Sequence, residues 1–412
     1  MDQSTSNASP PRLRNAVKER PGLGTALRSW ILGHTVPRRL TRLYSRTTDT
    51  KEVKHLDVDR ERLVIFSDHH KGARDGADDF WICERAYNAA LAYYLESGYE
   101  LMILGDAEEL WENKPKTVFE CYEHTLELEA KFHARGCYTR FFGNHDLDWR
   151  NPKRVRDELA TPFDKVATPF DKAGERESRP PLRVLEALKL HLHRDGEQMG
   201  LAFLFHGHQG TPSSDYFAWA SEPLVRFLWR PLQRWRKLPS VSPARNYNLR
   251  ETHETATAEW AKQRPADGGF RPIAIAGHTH RPVFPTKIQE KPPVEQISDK
   301  RGECEAAERG SRLAATLRAQ LEYLLAACKY YDDPEEIDPP VYFNTGCCCF
   351  GDGTITGLEI SDGAIKLVRW TQSEHQYGLA REVGSEREKA EFRVDVRAEL
   401  ALDRVFPRVD QQ

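Results

Sequence analysis

Short apolar runs that stop abruptly at polar turns recur along the chain. Arg62–Phe66, Leu101–Leu104, Tyr138–Phe142, Leu201–Phe205 and Pro272–Ala276 are four or five residues long and end at Gly or at polar residues. Runs of that length and boundary predict buried strands. Between the first three, apolar positions recur at helical spacing. Phe80, Ile82, Ala86, Ala90, Leu91 and Leu95 predict a helix over about 78–96, and a second is expected over 118–134. Strand, turn and helix in alternation predict helices layered on a β-sheet, an α/β fold. Val341–Thr345 reads as a late strand. Residues 355–360 and 364–370 read as a hairpin around Asp362-Gly363.

Other stretches break the pattern. Residues 1–55 are expected as a flexible N-terminal extension, made basic by Arg38, Arg39, Arg42 and Arg46. Residues 160–166 and 167–173 form a tandem repeat, ATPFDKV and ATPFDKA, read as a duplicated loop with Pro-led turns. An insertion over about 211–265 contains an amphipathic helix. In it Leu224, Leu228, Leu232 and Trp235 fall on one side, with Arg226, Arg230 and Arg234 every four residues beside them. A second insertion, about 287–338, ends in a helix from about 304 to 331. The tail, 371–412, is charged and expected to be partly helical.

Composition narrows the class. A chain of 412 residues holds one large domain with insertions, or two domains. A formal net charge of −3 gives no general pull toward nucleic acid, so nucleic acid is not the expected partner. No apolar run approaches ~20 residues, so no transmembrane helix is expected. The N-terminus lacks the apolar centre of a secretory signal, which predicts a cytoplasmic protein. The eight cysteines show no Cys-x-x-Cys pair and read as reduced thiols.

The strand ends carry the chemistry. They deliver Asp68-x-His70, Gly105-Asp106, Gly143-Asn144-His145-Asp146, His206-Gly207-His208 and Gly277-His278-Thr279-His280. Residues i and i+2 of an extended segment point the same way, so His278 and His280 can aim at one point. Asp68, His70, Asp106, Asn144, His206, His278 and His280 together offer carboxylate, amide and imidazole donors without thiolate, a set that suits Mn, Fe, Zn or Ni. Seven donors, one of them able to bridge, suit two divalent ions better than one. Two ions about 4 Å apart form a clamp for a phosphoryl group, with a bridging hydroxide as nucleophile.

These motifs, in this order, resemble the calcineurin-like metallophosphoesterase superfamily. The resemblance covers about 60–285 and the closing strands near 341–370. It implies a four-layer α/β/β/α sandwich over 56–370, with a metal-dependent phosphoesterase activity. By residue, it implies that Asp68, His70 and His280 hold a first metal, and that Asn144, His206 and His278 hold a second. Asp106 bridges them, and Mn is the expected ion. His145 assists the leaving group, and Asp146 orients His145. The stretch after Asp106 lacks the Asp-Arg-Gly of protein serine/threonine phosphatases. Gly105-Asp106-Ala107-Glu108-Glu109-Leu110-Trp111 and the Arg281-Pro282 that follows His280 are instead similar to UDP-2,3-diacylglucosamine pyrophosphatases. That branch carries Arg where this chain has His145. In it, an insertion after the His-Gly motif is a helical cap that receives acyl chains. The expected partner is therefore a phosphate-containing small molecule, nucleotide-linked or lipid-like. His208, Arg226 and Arg230 are its candidate ligands, and peripheral membrane contact would run through the cap. A nuclease or a general phosphatase of the same superfamily is the alternative activity, and a non-catalytic scaffold the alternative class. His69 reads as facing either the ligands or solvent, and one of Glu108 and Glu109 as a partner of a metal ligand or of the cap.

Overall fold

The computed structural model describes residues 23–165, 181–210, 247–285, 340–372 and 392–407. Among them thirteen strands form two sheets. In chain order the strands are β1 (Val53–Asp57), β2 (Arg62–Phe66), β3 (Tyr99–Leu104), β4 (Tyr138–Phe141) and β5 (Val184–Leu185). They continue with β6 (Ala187–Arg194), β7 (Glu197–Phe205), β8 (Ile273–Ala276), β9 (Pro282–Val283) and β10 (Tyr342–Thr345). The last three are β11 (Ile355–Ser361), β12 (Ala364–Gln372) and β13 (Phe392–Ala401). One sheet runs β1-β6-β7-β8-β10-β9, the other β13-β12-β11-β2-β3-β4-β5.

The helices are α1 (Leu23–Arg46), α2 (Glu84–Glu96), α3 (Pro115–Cys121), α4 (Glu123–Ala134), α5 (Pro152–Arg154), α6 (Ala160–Lys165), α7 (Tyr247–Lys262) and α8 (Leu402–Val405). β2, β3 and β4 are parallel, with Phe66 beside Ile103 and Leu104 beside Phe141. β7, β8 and β10 are parallel in the other sheet. Parallel register brings their carboxyl ends to one edge of each sheet, where ligands collect in α/β folds.

Alternate residues of both sheets share one buried cluster: Leu63, Ile65, Met102 and Leu104 from one, Leu190, Leu204, Ile275 and Phe343 from the other. The two sheets therefore face each other. The opposite face of β2 and β3, Val64, Phe66, Leu101 and Ile103, buries against Tyr87, Leu91 and Tyr94 of α2 and Leu126 and Phe132 of α4. On the other sheet Phe203, Phe205, Ala274 and Tyr342 bury against α1 and α7. The fold is thus mixed α/β with two multi-stranded sheets and flanking helices.

The structure corrects the sequence reading at five places. Within the extension 1–55, residues 23–46 are a docked helix and 53–57 an edge strand. Leu32, Val36, Leu40 and Leu43 of α1 are at most 3 % exposed. Each contributes roughly 1.5–3 kcal/mol on burial, which outweighs the ~3 kcal/mol that Pro37 costs inside a helix. The end of the 211–265 segment, α7, packs on α1 and the sheet. Ala160–Lys165 of the first repeat copy is not a loop; it continues a helical stretch that passes through a π-helical turn at Val155–Leu159. The charged tail supplies edge strand β13, where Phe392, Val394, Val396, Ala398 and Leu400 alternate with polar residues. A hairpin went unread: β6 and β7 join at Asp195-Gly196, with φ of +52° and +80°, as a two-residue turn of the Asp-Gly kind requires. The cap helix with Arg226 and Arg230, the second insertion and the second repeat copy lie outside the described residues.

Candidate metal centre

The five strand-end motifs meet at one point. Gly277 N donates to His206 O at 2.8 Å, and His278 N to Asp68 Oδ2 at 2.9 Å. The second of these bonds ties the loops of the two sheets together. Asp68 N donates to Gly105 O, and His70 N to Asp106 O. The approach is close enough to need glycine. A Cβ on Gly143 would stand 2.1 Å from Asp106 Oδ1, and one on Gly277 2.5 Å from Asp68 Oδ2.

Strain concentrates here. Asp68, His70, Asp106, His278 and His280 all have φ between +50° and +68°, five of the eight such non-glycine residues among those described. A left-handed non-glycine residue costs about 1–3 kcal/mol and persists only where its surroundings hold it. Five together mark a site built for geometry.

Six of the seven expected ligands converge in overlapping contacts. His70 Nε2 lies 3.1 Å from His280 Nε2 and 3.8 Å from Asp106 Oδ2. His280 Nε2 lies 3.3 Å from Asp68 Oδ1, and His206 Nε2 3.1 Å from Asp106 Oδ2. Donor atoms of Asp68, His70 and Asp106, and of Asp106, His206 and His278, lie within 4.8 Å of one another. Asp106 belongs to both groups. Asn144, the seventh, is 5 % exposed.

Four of the donor atoms are buried and unsatisfied. Asp68 Oδ1, Asn144 Oδ1, His206 Nε2 and His278 Nε2 are buried without a hydrogen-bond partner, an arrangement that folded proteins rarely tolerate. Their other atoms are tied back. Asp68 Oδ2 accepts from Ser67 Oγ, and the Nδ1–H of His206 donates to Leu104 O at 2.6 Å. The second bond leaves Nε2 as the lone-pair nitrogen. The carboxylates draw positive charge: against the burial that lowers both imidazoles, Asp106 pushes His206 up to about 9 and Asp68 pushes His280 up to about 10. Carboxylate, amide and imidazole donors orphaned around one point fit divalent first-row metals.

His145 sits beside this group with its ring 4.5 Å from that of His70. Its Nδ1 is 2.6 Å from Glu109 Oε2, which also lies 3.3 Å from His70 Nδ1. Burial lowers the His145 imidazole, but the Glu109 carboxylate outweighs it and lifts it to about 9. Burial raises Glu109, and His145 outweighs that and brings it to about 2. Trp111 stacks on His145 at 4.0 Å and 20°, and its Nε1 donates to Asn144 O at 2.7 Å.

The expected partner of His145 is therefore corrected from Asp146 to Glu109. Asp146 is fully buried and receives the amides of Gly143, Ala107 and Asp106 at 2.6, 2.9 and 3.2 Å. It ties the Asp106 loop to the Asn144 loop. Glu108 faces the other way, into a buried set with Arg140, Lys71 and Trp149.

His69 is neither exposed nor at the ligands. It is fully buried, its ring 4.4 Å from Tyr87 and 5.7 Å from Phe80 on the helix side. His208 is 6 % exposed, with its ring 5.5 Å from His206. Burial and the His206 charge hold it down to about 3, a neutral imidazole rather than a cationic phosphate ligand.

Two partners were not read from sequence. Glu254 of α7 accepts from Thr279 Oγ1 at 2.8 Å and binds Arg281, and Asn344 Nδ2 donates to Gly277 O at 2.7 Å. Together they fix the turn that presents His278 and His280. The buried His253-Glu254 pair at helical spacing from Thr257 was the available signal.

Among the described residues no helix is long and apolar enough to cross a membrane. No family model matches the chain, and no curated protein matches it. Among solved structures it is similar to a conserved uncharacterized protein, a predicted phosphoesterase, from Streptococcus pneumoniae TIGR4. The two are 12 % identical over 75 % of this chain and 88 % of that chain, with a TM-score of 0.24.

Proposed function

We propose that the chain is a metal-dependent phosphoesterase that cleaves a phosphodiester, pyrophosphate or phosphomonoester bond. The observation that carries this is the set of orphaned buried donors around the shared carboxylate of Asp106. Asp68, His70 and His280 would hold one divalent ion, and Asn144, His206 and His278 a second, with Asp106 common to both. When bound, such a pair supplies Lewis acidity toward a phosphoryl oxygen and activates water at neutral pH.

The chain's own residues do the rest. Glu109 fixes Nδ1–H of His145, so that Nε2 can deliver a proton to a leaving oxygen. A positioned acid of this kind typically contributes about 10²–10⁴-fold. Trp111, 40 % exposed beside His145, offers a ring on which the base or sugar of a nucleotide-linked leaving group can stack. The three buried clusters support a four-layer α/β/β/α sandwich, and the segment after His206-Gly207 is assigned the role of a cap over this site.

The test is hydrolysis of a panel with Mn²⁺ and with a chelator. The panel holds bis-p-nitrophenyl phosphate, p-nitrophenyl phosphate, a UDP-linked lipid and single-stranded DNA. Metal-dependent release lost in His145→Ala supports the reading, and the preferred member names the substrate class. No release from any member under either condition contradicts it.

A further inference from the structure

β1 and β6 pair in parallel register at one edge of their sheet, with His55 beside His191 and Asp57 beside His193. Residues i and i+2 of a strand point to one face, so His191 and His193 stand on the same side, and His55 meets them there. His55 Nδ1 lies 2.8 Å from His193 Nε2. The His55 ring is 5.0 Å from that of His193 and 5.2 Å from that of His191, on which it stacks at 27°. His55 is exposed and the other two are half-buried. The intervening Leu190 and Leu192 turn to the buried face between the sheets, so the core makes no use of the imidazoles. The cluster is remote from the metal centre. His193 pairs with Gln198, eight residues before His206 on β7, roughly 26 Å away at the rise of a strand.

A neutral imidazole carries one N–H and one lone pair, so the two facing nitrogens share a single proton. Nitrogens bound at about 2.0–2.1 Å on neighbouring corners of a square-planar ion stand about 2.9 Å apart, against about 3.3 Å on a tetrahedral one. An ion of tetragonal preference can therefore replace the shared proton with little movement of either ring. Burial and the two neighbouring imidazoles hold the His193 ring below its ordinary value and keep its lone pair open, while the Asp57 carboxylate opposes them and offers charge to a cation. Cations close by on β6 are engaged elsewhere. Lys189 lies 3.3 Å from Asp267 and 3.9 Å from the centre of the Tyr44 ring, and Arg194 lies 2.8 Å from Asp403.

We propose that His55 and His193 form a further metal site, separate from the centre described above, for a divalent ion of tetragonal preference. Copper(II) fits best, since it combines that geometry with the highest affinity for imidazole in the first-row series. His191 and Asp57 flank the pair. The ion clips edge strand β1 to β6. β1 leads within a few residues into β2 of the other sheet, so the clip fastens the crossover between the two sheets. The site does not depend on the phosphoesterase reading, and either can stand without the other.

The test titrates Cu²⁺ into the untagged full chain, with calorimetry for affinity and electron paramagnetic resonance for the ligands. It is run on wild type and on Asp106→Asn, which removes the carboxylate common to both donor groups of the centre. Both are expected to bind a copper ion whose spectrum carries coupling to imidazole nitrogen. His55→Ala and His193→Ala should each weaken that ion at least about 10-fold, since loss of a partner one step further from a metal already costs as much. Copper should also raise the Tm of wild type by mass action, and should not raise that of the His55→Ala/His193→Ala pair. His124→Ala, which removes an exposed imidazole of α4, should change neither readout. Equal copper affinity in wild type, His55→Ala and His193→Ala would overturn the inference. So would a spectrum without imidazole nitrogen. Copper lost in Asp106→Asn but kept in His55→Ala would place the ion at the centre, overturning this site while supporting that one. If Asp106→Asn does not fold, the comparison of wild type with His55→Ala and His193→Ala decides alone.

Discussion

Arg140→Met removes one charge from a set that holds the two loops of the centre together. The guanidinium touches Glu108 and lies 3.5 Å from Glu129 and 3.9 Å from Asp146. Lys71 is the second cation, 2.6 Å from Glu129 and 3.7 Å from Glu108. All four side chains, Lys71, Arg140, Glu108 and Glu129, are at 0 % exposure, so two cations face these two carboxylates out of water, with Asp146 a third beside Arg140. Removing one member strands a buried charge at a cost of about 3–5 kcal/mol. Met follows much of the arginine stem, so the charge dominates over the cavity.

The cost has a pH signature. Burial raises the Glu108 carboxyl, but Arg140 and Lys71 outweigh it and hold it below the ordinary 4.5. A depressed carboxyl contributes stability above its unfolded value and loses it as pH falls through its folded value. Without Arg140 the largest opposing influence is gone and the carboxyl rises. Protonation then neutralises the stranded charge, and the deficit shrinks as pH falls. Urea unfolding should show a deficit of about 3–5 kcal/mol at about pH 8 and a smaller one at about pH 5. Adding Glu108→Gln should restore part of the loss at the higher pH. A deficit below about 1 kcal/mol at the higher pH, or one equal at both, refutes the reasoning.

Other expectations follow from the same geometry. In metal-free protein the His145 ring should titrate at about 9, its protonated form being lost as pH rises through that value. Glu109→Gln should move the midpoint down, because burial then acts with less opposition. NMR of the imidazole proton reads it, and an unchanged midpoint contradicts the assignment. Gly143→Ala places a Cβ 2.1 Å from Asp106 Oδ1, so Asp106 must shift, and metal affinity should fall at least about 10-fold by equilibrium dialysis.

The site was more legible than the fold around it. Each ligand sits within four residues of the end of an apolar run, and parallel strands carry such ends to one edge, so Asp68 and Asp106 could be placed together from spacing, whereas His206, at the end of a strand of the other sheet, was joined to them by the resemblance. The partner of His145 could not. Asp146 is its neighbour in sequence, but the left-handed turn at Asp106 brings Glu109 to the imidazole and leaves Asp146 to the backbone amides. Helix α1 was hidden by Pro37 and by its arginines, although Leu32, Val36, Leu40 and Leu43 carry the helical spacing. Strands β6 and β13 were hidden by charge. Leu188, Leu190 and Leu192 alternate with Lys189, His191 and His193, and β13 is an edge strand with Arg393 and Glu399 exposed.

The most direct test of the central claim is the metal count. Full-length protein is dialysed against Mn²⁺ and counted by native mass spectrometry, beside Asp106→Asn. Because Asp106 belongs to both donor groups, the account predicts two ions per chain in wild type and loss of tight binding at both positions in the variant. No uptake by wild type, or the same count in Asp106→Asn, would contradict it.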